Sequence, residues 1–303
     1  MKHLLGIDEL SVDEIQEYLD LGQFYAEALN GGQWDGQKLK NKVVMTLFFE
    51  NSTRTVTSFN FAALRLGAEL INWNAGVSSL NKNESFQDTI DTLGAMKPDA
   101  VVIRHSEYGA PIKVAERMEC PVINAGDSYR AHPTQALLDA LTIIQEKGSL
   151  EGLNVAICGD LSHSRVASSN AHLLTKMGVN LRFVAPDFFK PEKMPAEGID
   201  FYDSLDEGIK DCDVVMMLRV QKERITDKEG LLDDASYFKQ YGLNHERLKA
   251  AKSDVMVMHP GPMNRGIEIS GELADDLKYS RMAKQVENGV YARMAVLDLL
   301  LYK

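Results

Sequence analysis

Short runs of β-branched and aliphatic residues alternate with longer amphipathic segments along most of this sequence. A first helix should begin at Ser11-Val12-Asp13-Glu14, where the Ser and Glu side chains can form a capping box. Further strands and helices are then predicted at 43–49, 54–66, 68–73, 86–96, 100–104, 112–118, 122–124 and 134–146. Strands that alternate with helices form parallel sheets covered by helices on both faces, so the pattern predicts an α/β fold.

The alternation starts again after Lys147-Gly148-Ser149, which is the best candidate for a domain boundary. The second set of segments lies at 154–159, 164–177, 180–184, 204–210, 214–218, 255–259 and 289–301. A chain of 303 residues is long enough for two domains with separate cores. We therefore expect two doubly wound parallel-sheet domains joined by a long helix. Their predicted bounds are 1–133, completed by a C-terminal helix at 288–303, a linking helix at 134–149, and 150–287.

Charge and cysteine content limit the ligands and the compartment. The formal net charge of −11 repels polyanions, so we expect no nucleic-acid partner. No run of about 20 apolar residues is present, and acidic residues follow the N-terminus closely, which argues against a membrane span and a signal peptide. The three widely spaced cysteines suit small buried side chains in a reducing compartment. We expect a cytoplasmic protein that binds small anions only where positive charge is concentrated.

Polar and basic side chains follow three predicted strands of the first half. Ser52-Thr53-Arg54-Thr55 lies between a strand and a helix, Arg104 ends the next strand but one, and His132-Pro133-Thr134-Gln135 begins the long helix. Each segment alone has an ordinary structural explanation, such as an N-cap or a solvated arginine. Because strand ends meet at one edge of a parallel sheet and helix N-termini attract anions, the three together predict an anion site.

The second half repeats this arrangement. Arg165 follows one strand, Arg219 and Gln221 follow another, and the segment 259–266 (His-Pro-Gly-Pro-Met-Asn-Arg-Gly) follows a third. A guanidinium fork matches a carboxylate with two hydrogen bonds, so two arginines at neighbouring strand ends suit a dicarboxylate ligand. A cationic ligand would require carboxylates at these positions.

These motifs, in this order and over essentially the whole chain, resemble the aspartate and ornithine carbamoyltransferase family. The Arg219/Gln221 pair and the loop at 259–266 are similar to the aspartate branch, and the Cys-containing loop usual in the ornithine branch is not visible. The resemblance implies transfer of the carbamoyl group from carbamoyl phosphate to L-aspartate, in pyrimidine biosynthesis, with no cofactor and no metal. Ornithine, or another amino-acid acceptor, remains an alternative, as does a non-catalytic anion-binding protein on the same fold.

The resemblance also implies roles for particular residues. Arg54, Thr55, Arg104 and His132 are the expected catalytic residues. The expected carbamoyl phosphate set is Ser52, Thr53, Arg54, Thr55, Arg104, His132, Gln135, Gly261 and Pro262, and the expected aspartate set is Lys82, Arg165, Arg219 and Gln221. Within these sets, Gly261 and Pro262 would orient the reacting amine, and Lys82 would also contact the phosphate.

Lys82 stands in a polar loop that, in the family, enters the active site of a neighbouring subunit. The resemblance therefore implies a homotrimer with shared active sites, and regulatory chains are a possible further partner. Three positions depart from the family pattern: Val56 and Asn60, which commonly are Arg and Glu, and Asn83, which commonly is Gly. Val56 and Asn60 are four residues apart on one predicted helix, so we interpret the two changes as the joint loss of an ion pair.

Overall fold

The computed structural model describes residues 2–74, 84–222 and 232–302. Its contacts divide the chain into two compact units. Unit 1 comprises Met1–Leu141 with Val286–Lys303, and unit 2 is Thr142–Gln285. The first division falls inside the helix Pro133–Lys147, where the sequence predicted a linking helix at 134–149. The family resemblance further implies that the first domain binds carbamoyl phosphate and that the second binds aspartate, and this stays a prediction.

Unit 1 is built on a parallel sheet with the strand order β2-β1-β3-β4. Its elements, in chain order, are α1 (Val12–Asn30), β1 (Val43–Phe48), α2 (Thr53–Arg65), β2 (Glu69–Asn74), α3 (Phe86–Ala95), β3 (Ala100–His105), α4 (Ala110–Ala115), β4 (Val122–Asp127), α5 (Pro133–Lys147) and the terminal helix α11 (Met282–Leu301). The interior residues of β1 and all of β4 are buried, as expected for strands covered on both faces.

Unit 2 contains a second parallel sheet, with the strand order β7-β6-β5-β8-β9. Its elements are β5 (Asn154–Cys158), α6 (Arg165–Lys176), β6 (Asn180–Val184), β7 (Asp200–Tyr202), α7 (Leu205–Gly208), β8 (Val214–Met217), α8 (Asp234–Tyr241), α9 (His245–Leu248), β9 (Met256–Met258) and α10 (Gly271–Asp275). All residues of β8 and β9 are buried.

Each unit has its own apolar core. In unit 1, Met45, Leu47 and Ile103 from β1 and β3 belong to one cluster of buried side chains. In unit 2, Val215 and Val257 from β8 and β9 belong to another. The three cysteines form no disulfide. Cys158 and Cys212 are buried as predicted, and burial raises the pKa of Cys212 to about 11, whereas Cys120 is only half-buried.

Both sheets have a point at which the direction of strand addition reverses. In unit 1 the chain moves from β1 outward to β2, then returns to the other side of β1 for β3. In unit 2 it moves from β5 outward through β6 and β7, then returns for β8. Ligands of open α/β sheets bind outside the strand ends at such a reversal. The pairs β1/β3 and β5/β8 are therefore the places to look for a site.

The predicted fold class of two parallel-sheet α/β domains is confirmed, and so is the capping box at Ser11. Several bounds were wrong, including those of helix α4, which was predicted at 112–118 and is observed at Ala110–Ala115. Strand β4 continues to Asp127, past the predicted end at 124, because the Asn124 side chain accepts from the Gly126 N–H and Asp127 pairs with Ala131. Helix α11 begins at Met282, seven residues before the predicted start at 289, and its first turns bury polar residues that hide the apolar pattern. The described helices include none with the length and hydropathy needed to span a bilayer.

Candidate active site

The β1–α2 junction has the features of an anion site. Ser52 is the N-cap of α2 with extended backbone, but its side chain makes no capping hydrogen bond, so the hydroxyl is not used to close the helix. Thr53 and Arg54 lie exposed in the first turn, which contains no acidic residue. Thr55 is buried, and its carbonyl accepts from the Ser58 hydroxyl at 2.9 Å. The N-terminal amides and the positive dipole end of this 13-residue helix therefore lie after the end of β1, and no acidic residue in the first helical turn neutralises them.

Arg104 is held at the end of β3, directly beside β1. It is in register with Phe48, the last residue of β1, and its carbonyl accepts from the Phe49 N–H at 2.9 Å. The guanidinium Nε lies 3.2 Å from Oε2 of Glu50, and Nη1 donates to the Ala125 carbonyl at 3.3 Å. These contacts fix a largely buried cation beside the start of α2. Glu50, in the loop after β1, is a partner that the sequence reasoning did not consider.

The His105 side chain, next to Arg104, adds little charge to this edge. Burial lowers the pKa of His105, and its Nδ1 accepts from the Glu107 N–H at 2.8 Å, which requires an unprotonated nitrogen. The positive charge at the β1 and β3 ends is therefore that of the arginines.

His132 and Gln135 stand where α5 begins, after β4. His132 immediately precedes the helix, Gln135 lies in its first turn, and both are buried. The Gln135 side-chain amide donates from Nε2 to Oδ1 of Asp139 at 3.0 Å, one turn further along. Since β4 is the neighbour of β3, the structure places all three predicted segments of unit 1 at the ends of adjacent strands.

The predicted acceptor residues of unit 2 lie at the β5/β8 reversal. Arg165 is buried as the first residue of α6, after β5, and Arg219 is half-buried after β8. Gln221 donates from its side-chain Nε2 to the His163 carbonyl at 3.0 Å. The loops that follow the two strands are thereby joined.

Asp160, which the sequence reasoning did not select, holds these two loops together. This fully buried carboxylate contacts His163 Nδ1 through Oδ1 at 2.7 Å and accepts from the Gln221 N–H through Oδ2 at 3.1 Å. The sequence does contain a signal that could have identified Asp160, because this carboxylate follows a strand end and precedes Ser162 and His163. We interpret Asp160 as the group that sets the position of Gln221 relative to the loop after β5.

The loop after β9 is fixed by a buried His–Glu pair. His259 Nδ1 accepts from the Gly261 N–H at 2.8 Å, so the ring proton is on Nε2, which lies 3.1 Å from Oε1 of Glu268. The same carboxylate accepts from the Asn264 N–H. Both members of the pair are fully buried. Gly261 and Pro262 are thus held on a rigid turn at the edge of the second sheet.

Several predictions fall outside the described residues. Lys82 and Asn83 belong to residues 75–83, which lie outside the described part of the chain, so the description of the site does not include them. Val56 and Asn60 both lie on α2, as the spacing predicted, and the interpretation of a jointly lost ion pair stays a prediction. Within residues 2–74, 84–222 and 232–302, no three His, Cys, Asp or Glu side chains are arranged to hold a metal ion.

Two family models match this chain one after the other. The model described as "Aspartate/ornithine carbamoyltransferase, carbamoyl-P binding domain" matches residues 2–145. The model described as "Aspartate/ornithine carbamoyltransferase, Asp/Orn binding domain" matches residues 151–300. The chain belongs to the aspartate/ornithine carbamoyltransferase family. The two strand-end sites therefore lie in the segments that match the carbamoyl phosphate and the aspartate/ornithine models of that family.

Similar members of the family come mainly from the aspartate branch. An aspartate carbamoyltransferase catalytic subunit from Rhodospirillum rubrum is 49% identical over 299 residues, which cover 99% of this chain and 93% of that protein. Its counterpart from Jannaschia is 50% identical and covers 98% and 95%. The solved Trypanosoma cruzi aspartate transcarbamoylase with carbamoyl aspartate and phosphate has a TM-score of 0.89 at 32% identity, covering 98% and 95%. Ornithine carbamoyltransferase from Pyrococcus furiosus has a TM-score of 0.88 at 26% identity, covering 99% and 97%.

Proposed function

We propose that this chain is an aspartate carbamoyltransferase catalytic subunit, which converts carbamoyl phosphate and L-aspartate to N-carbamoyl-L-aspartate and phosphate in pyrimidine biosynthesis. The observation that carries the proposal is the pair of strand-end sites. One places a helix N-terminus beside Arg104, and the other places Arg165 and Arg219 at neighbouring strand ends. An acceptor with two carboxylates suits the second site, and ornithine does not.

The phosphate of the donor is assigned to the start of α2. The helix amides, the Ser52 and Thr53 hydroxyls and the Arg54 guanidinium supply donors to a dianion, and the helix dipole adds attraction. The phosphate is the leaving group, so these donors surround the atoms on which negative charge accumulates as the bond to the carbonyl carbon breaks. Stabilising that charge lowers the barrier to phosphate departure.

The carbonyl oxygen of the donor is assigned to Thr55, Arg104 and His132. Attack on the carbonyl carbon gives a tetrahedral intermediate whose negative charge sits on this oxygen. Fixed donors aimed at that position stabilise the intermediate more than the substrate, which is what accelerates the step. The contacts of Arg104 with Glu50 and Ala125 support this role, because they hold its guanidinium in place before the donor binds.

The acceptor is assigned to Arg165, Arg219 and Gln221, with the turn at Gly261 and Pro262 orienting the amine. The neutral α-amine of aspartate forms the new carbon–nitrogen bond, and the bond from the carbonyl carbon to the phosphate oxygen breaks. The amine loses one proton, which the departing phosphate accepts. No enzyme nucleophile is required, so the rate should depend on fixing two mutually repelling anions at reacting distance.

Phosphate release with different acceptors tests the proposed reaction. The purified protein with carbamoyl phosphate should release phosphate with L-aspartate and form N-carbamoyl-L-aspartate in equal amount. L-Ornithine at the same concentration should give no more than the rate without acceptor, since its cationic side chain would face two guanidinium groups. Turnover with ornithine alone would contradict the assignment, and no turnover with either acceptor would favour a non-catalytic anion-binding protein.

We further propose a cytoplasmic homotrimer in which Lys82 reaches the site of a neighbouring subunit and contacts the phosphate and aspartate, with regulatory chains as a possible additional partner. Exposed apolar side chains on α2 and on the edge strand β2, namely Phe61, Leu64 and Ile71, support an association surface in unit 1. Native mass spectrometry should give three copies, or a multiple of three. A monomer that is fully active would refute shared sites.

A further inference from the structure

Asp139 is a buried carboxylate to which the described mechanism gives no role. It lies on α5 one turn after Gln135, with a side chain that is fully excluded from solvent. Oδ1 accepts the hydrogen bond from Gln135 Nε2 at 3.0 Å. Gln135 itself is 8% exposed, so few water molecules can compete for its amide. The orientation of the Gln135 amide is therefore decided by its protein neighbours.

An ionised carboxylate can only accept hydrogen bonds, whereas a glutamine amide has a donating end and an accepting end. With Asp139 ionised, the favourable arrangement presents the Gln135 NH2 group to Asp139. Rotation of the amide by half a turn would bring its oxygen against a carboxylate oxygen, an arrangement without a hydrogen bond. The Gln135 oxygen Oε1 is thus left to accept from a different group.

A buried cation interacts electrostatically with Asp139. Arg293 on α11 is 3% exposed, its Nη1 donates to the Gly289 carbonyl at 2.9 Å, and its guanidinium lies 5.1 Å from the centre of the Phe59 ring on α2. Burial lowers the pKa of Arg293 to about 9, and the negative charge of Asp139 opposes this lowering. The Arg293 guanidinium thus provides a buried positive charge that attracts Asp139.

Space for this guanidinium depends on the residue one turn earlier in α11. A Cβ atom at Gly289 would lie 2.7 Å from Arg293 Nη1 and 3.5 Å from the Leu138 side chain on α5. A glycine at this position therefore lets the cation pack between α11, α5 and α2.

We propose that Asp139 is a positioning residue that fixes the polarity of the Gln135 amide, so that the site selects a donor with an NH2 group next to the reacting carbonyl. The inference rests on the proposed donor site, and it assigns the Gln135 side chain, a member of the expected carbamoyl phosphate set, to the carbamoyl amino group of the donor. That amino group donates hydrogen bonds and must meet an acceptor. A donor that carries a carboxylate oxygen in place of this NH2 group would bring that oxygen against Gln135 Oε1. Two acceptors would then face each other without a hydrogen bond.

Two stable ligands that differ at this one group test the proposal. Phosphonoacetamide carries an NH2 group beside its carbonyl, and phosphonoacetate carries a second carboxylate oxygen there. Titration calorimetry without aspartate gives both dissociation constants, and their ratio reports the polarity that the site prefers. Comparing this ratio between variants removes the constant effect of the extra charge on phosphonoacetate.

The main variant replaces Asp139→Leu together with Arg293→Met, which keeps the net charge and leaves no buried ion without its counterpart. The preference for phosphonoacetamide should fall about tenfold, the equivalent of one hydrogen bond, while the affinity for phosphonoacetate stays the same or rises. A general disturbance of the site would weaken both ligands alike. Asp139→Asn, which conserves size and offers either polarity, should give an intermediate ratio.

The matched control is Asp298→Asn, because Asp298 is also a buried carboxylate of unit 1 that accepts from a side chain, the Tyr25 hydroxyl at 2.6 Å. Its ligand ratio should equal that of the wild type. Melting temperatures identify variants that do not fold, and in that event Asp139→Asn decides.

Gln135→Met separates the two possible failures. This variant should abolish the preference for phosphonoacetamide over phosphonoacetate. If the preference persists, or if the wild type binds neither ligand, the proposed donor site is wrong and the inference falls with it. If Gln135→Met abolishes the preference while the Asp139 variants retain it in full, the donor site stands and the positioning role of Asp139 is overturned.

Discussion

Replacing Arg104 with alanine should lower kcat about 100- to 1000-fold, the usual cost of removing one fixed donor from a developing oxyanion. The guanidinium is positioned before substrate arrives, by Glu50 at 3.2 Å and the Ala125 carbonyl at 3.3 Å. Loss of this group removes stabilisation that is strongest in the tetrahedral intermediate. The KM for aspartate should change much less than kcat, and steady-state kinetics with phosphate detection gives both constants.

Arg117→Ala is a suitable control for this variant. Arg117 is another arginine of unit 1, but it forms an exposed ion pair with Asp91, and such pairs contribute little to stability. Its kcat should stay within about twofold of the wild type. If Arg104→Ala kept its melting temperature and lost less than tenfold in kcat, the oxyanion assignment would have to move to Thr55 and His132.

Replacing Arg219 with alanine should raise the KM for aspartate about 10- to 100-fold, because a hydrogen bond to a charged group typically contributes 1.5–3 kcal/mol. The affinity for carbamoyl phosphate should be unchanged, since Arg219 follows β8 in the second sheet, whereas the residues assigned to the phosphate and the carbonyl oxygen of the donor follow strands of the first. The KM of Arg219→Lys for aspartate should fall between those of the wild type and of Arg219→Ala, because an ammonium group keeps the charge and loses the two-pronged geometry. Initial rates over a matrix of both substrate concentrations separate the two KM values.

Lys252→Ala provides the comparison in unit 2. Lys252 is a partly exposed cation paired with Asp213 at 2.7 Å, away from the strand ends that carry the site. It controls for the loss of one positive charge from the same unit. A rise in the KM for carbamoyl phosphate in Arg219→Ala, with aspartate unaffected, would show that Arg219 had been assigned to the wrong substrate.

The order of strands and helices was readable from the sequence because β-branched runs and amphipathic runs differ in period. The elements β7, α8, α9 and α10 were missed. Three of them, β7, α9 and α10, have only three to five residues, and so short a segment displays no clear period. Helix α11 was predicted too short because Gln285 and Asn288 are buried in its first turns and look like surface residues in a sequence. Buried polar groups are only recognisable when their partners are known.

The candidate site was also only partly predictable from the sequence. Arginines and hydroxyls at strand ends were visible because their chemistry suits anions and their position follows from the fold. The groups that orient them were not visible. Asp160 contacts residues in two separate loops, and Glu50 pairs with an arginine more than fifty residues further along the chain. Asp139 was passed over for a different reason, since a carboxylate in the middle of a helix is ordinarily a solvated surface group.

The separate cores of the two units have a consequence for how acceptor preference can change. Substitutions in the loops after β5 and β8 disturb one sheet and its own apolar cluster, whereas the residues assigned to the phosphate and the carbonyl oxygen of the donor follow strands of the other sheet. A lineage can therefore exchange one amino-acid acceptor for another by rebuilding half of the polypeptide, while the chemistry of the activated carbamoyl group is inherited intact.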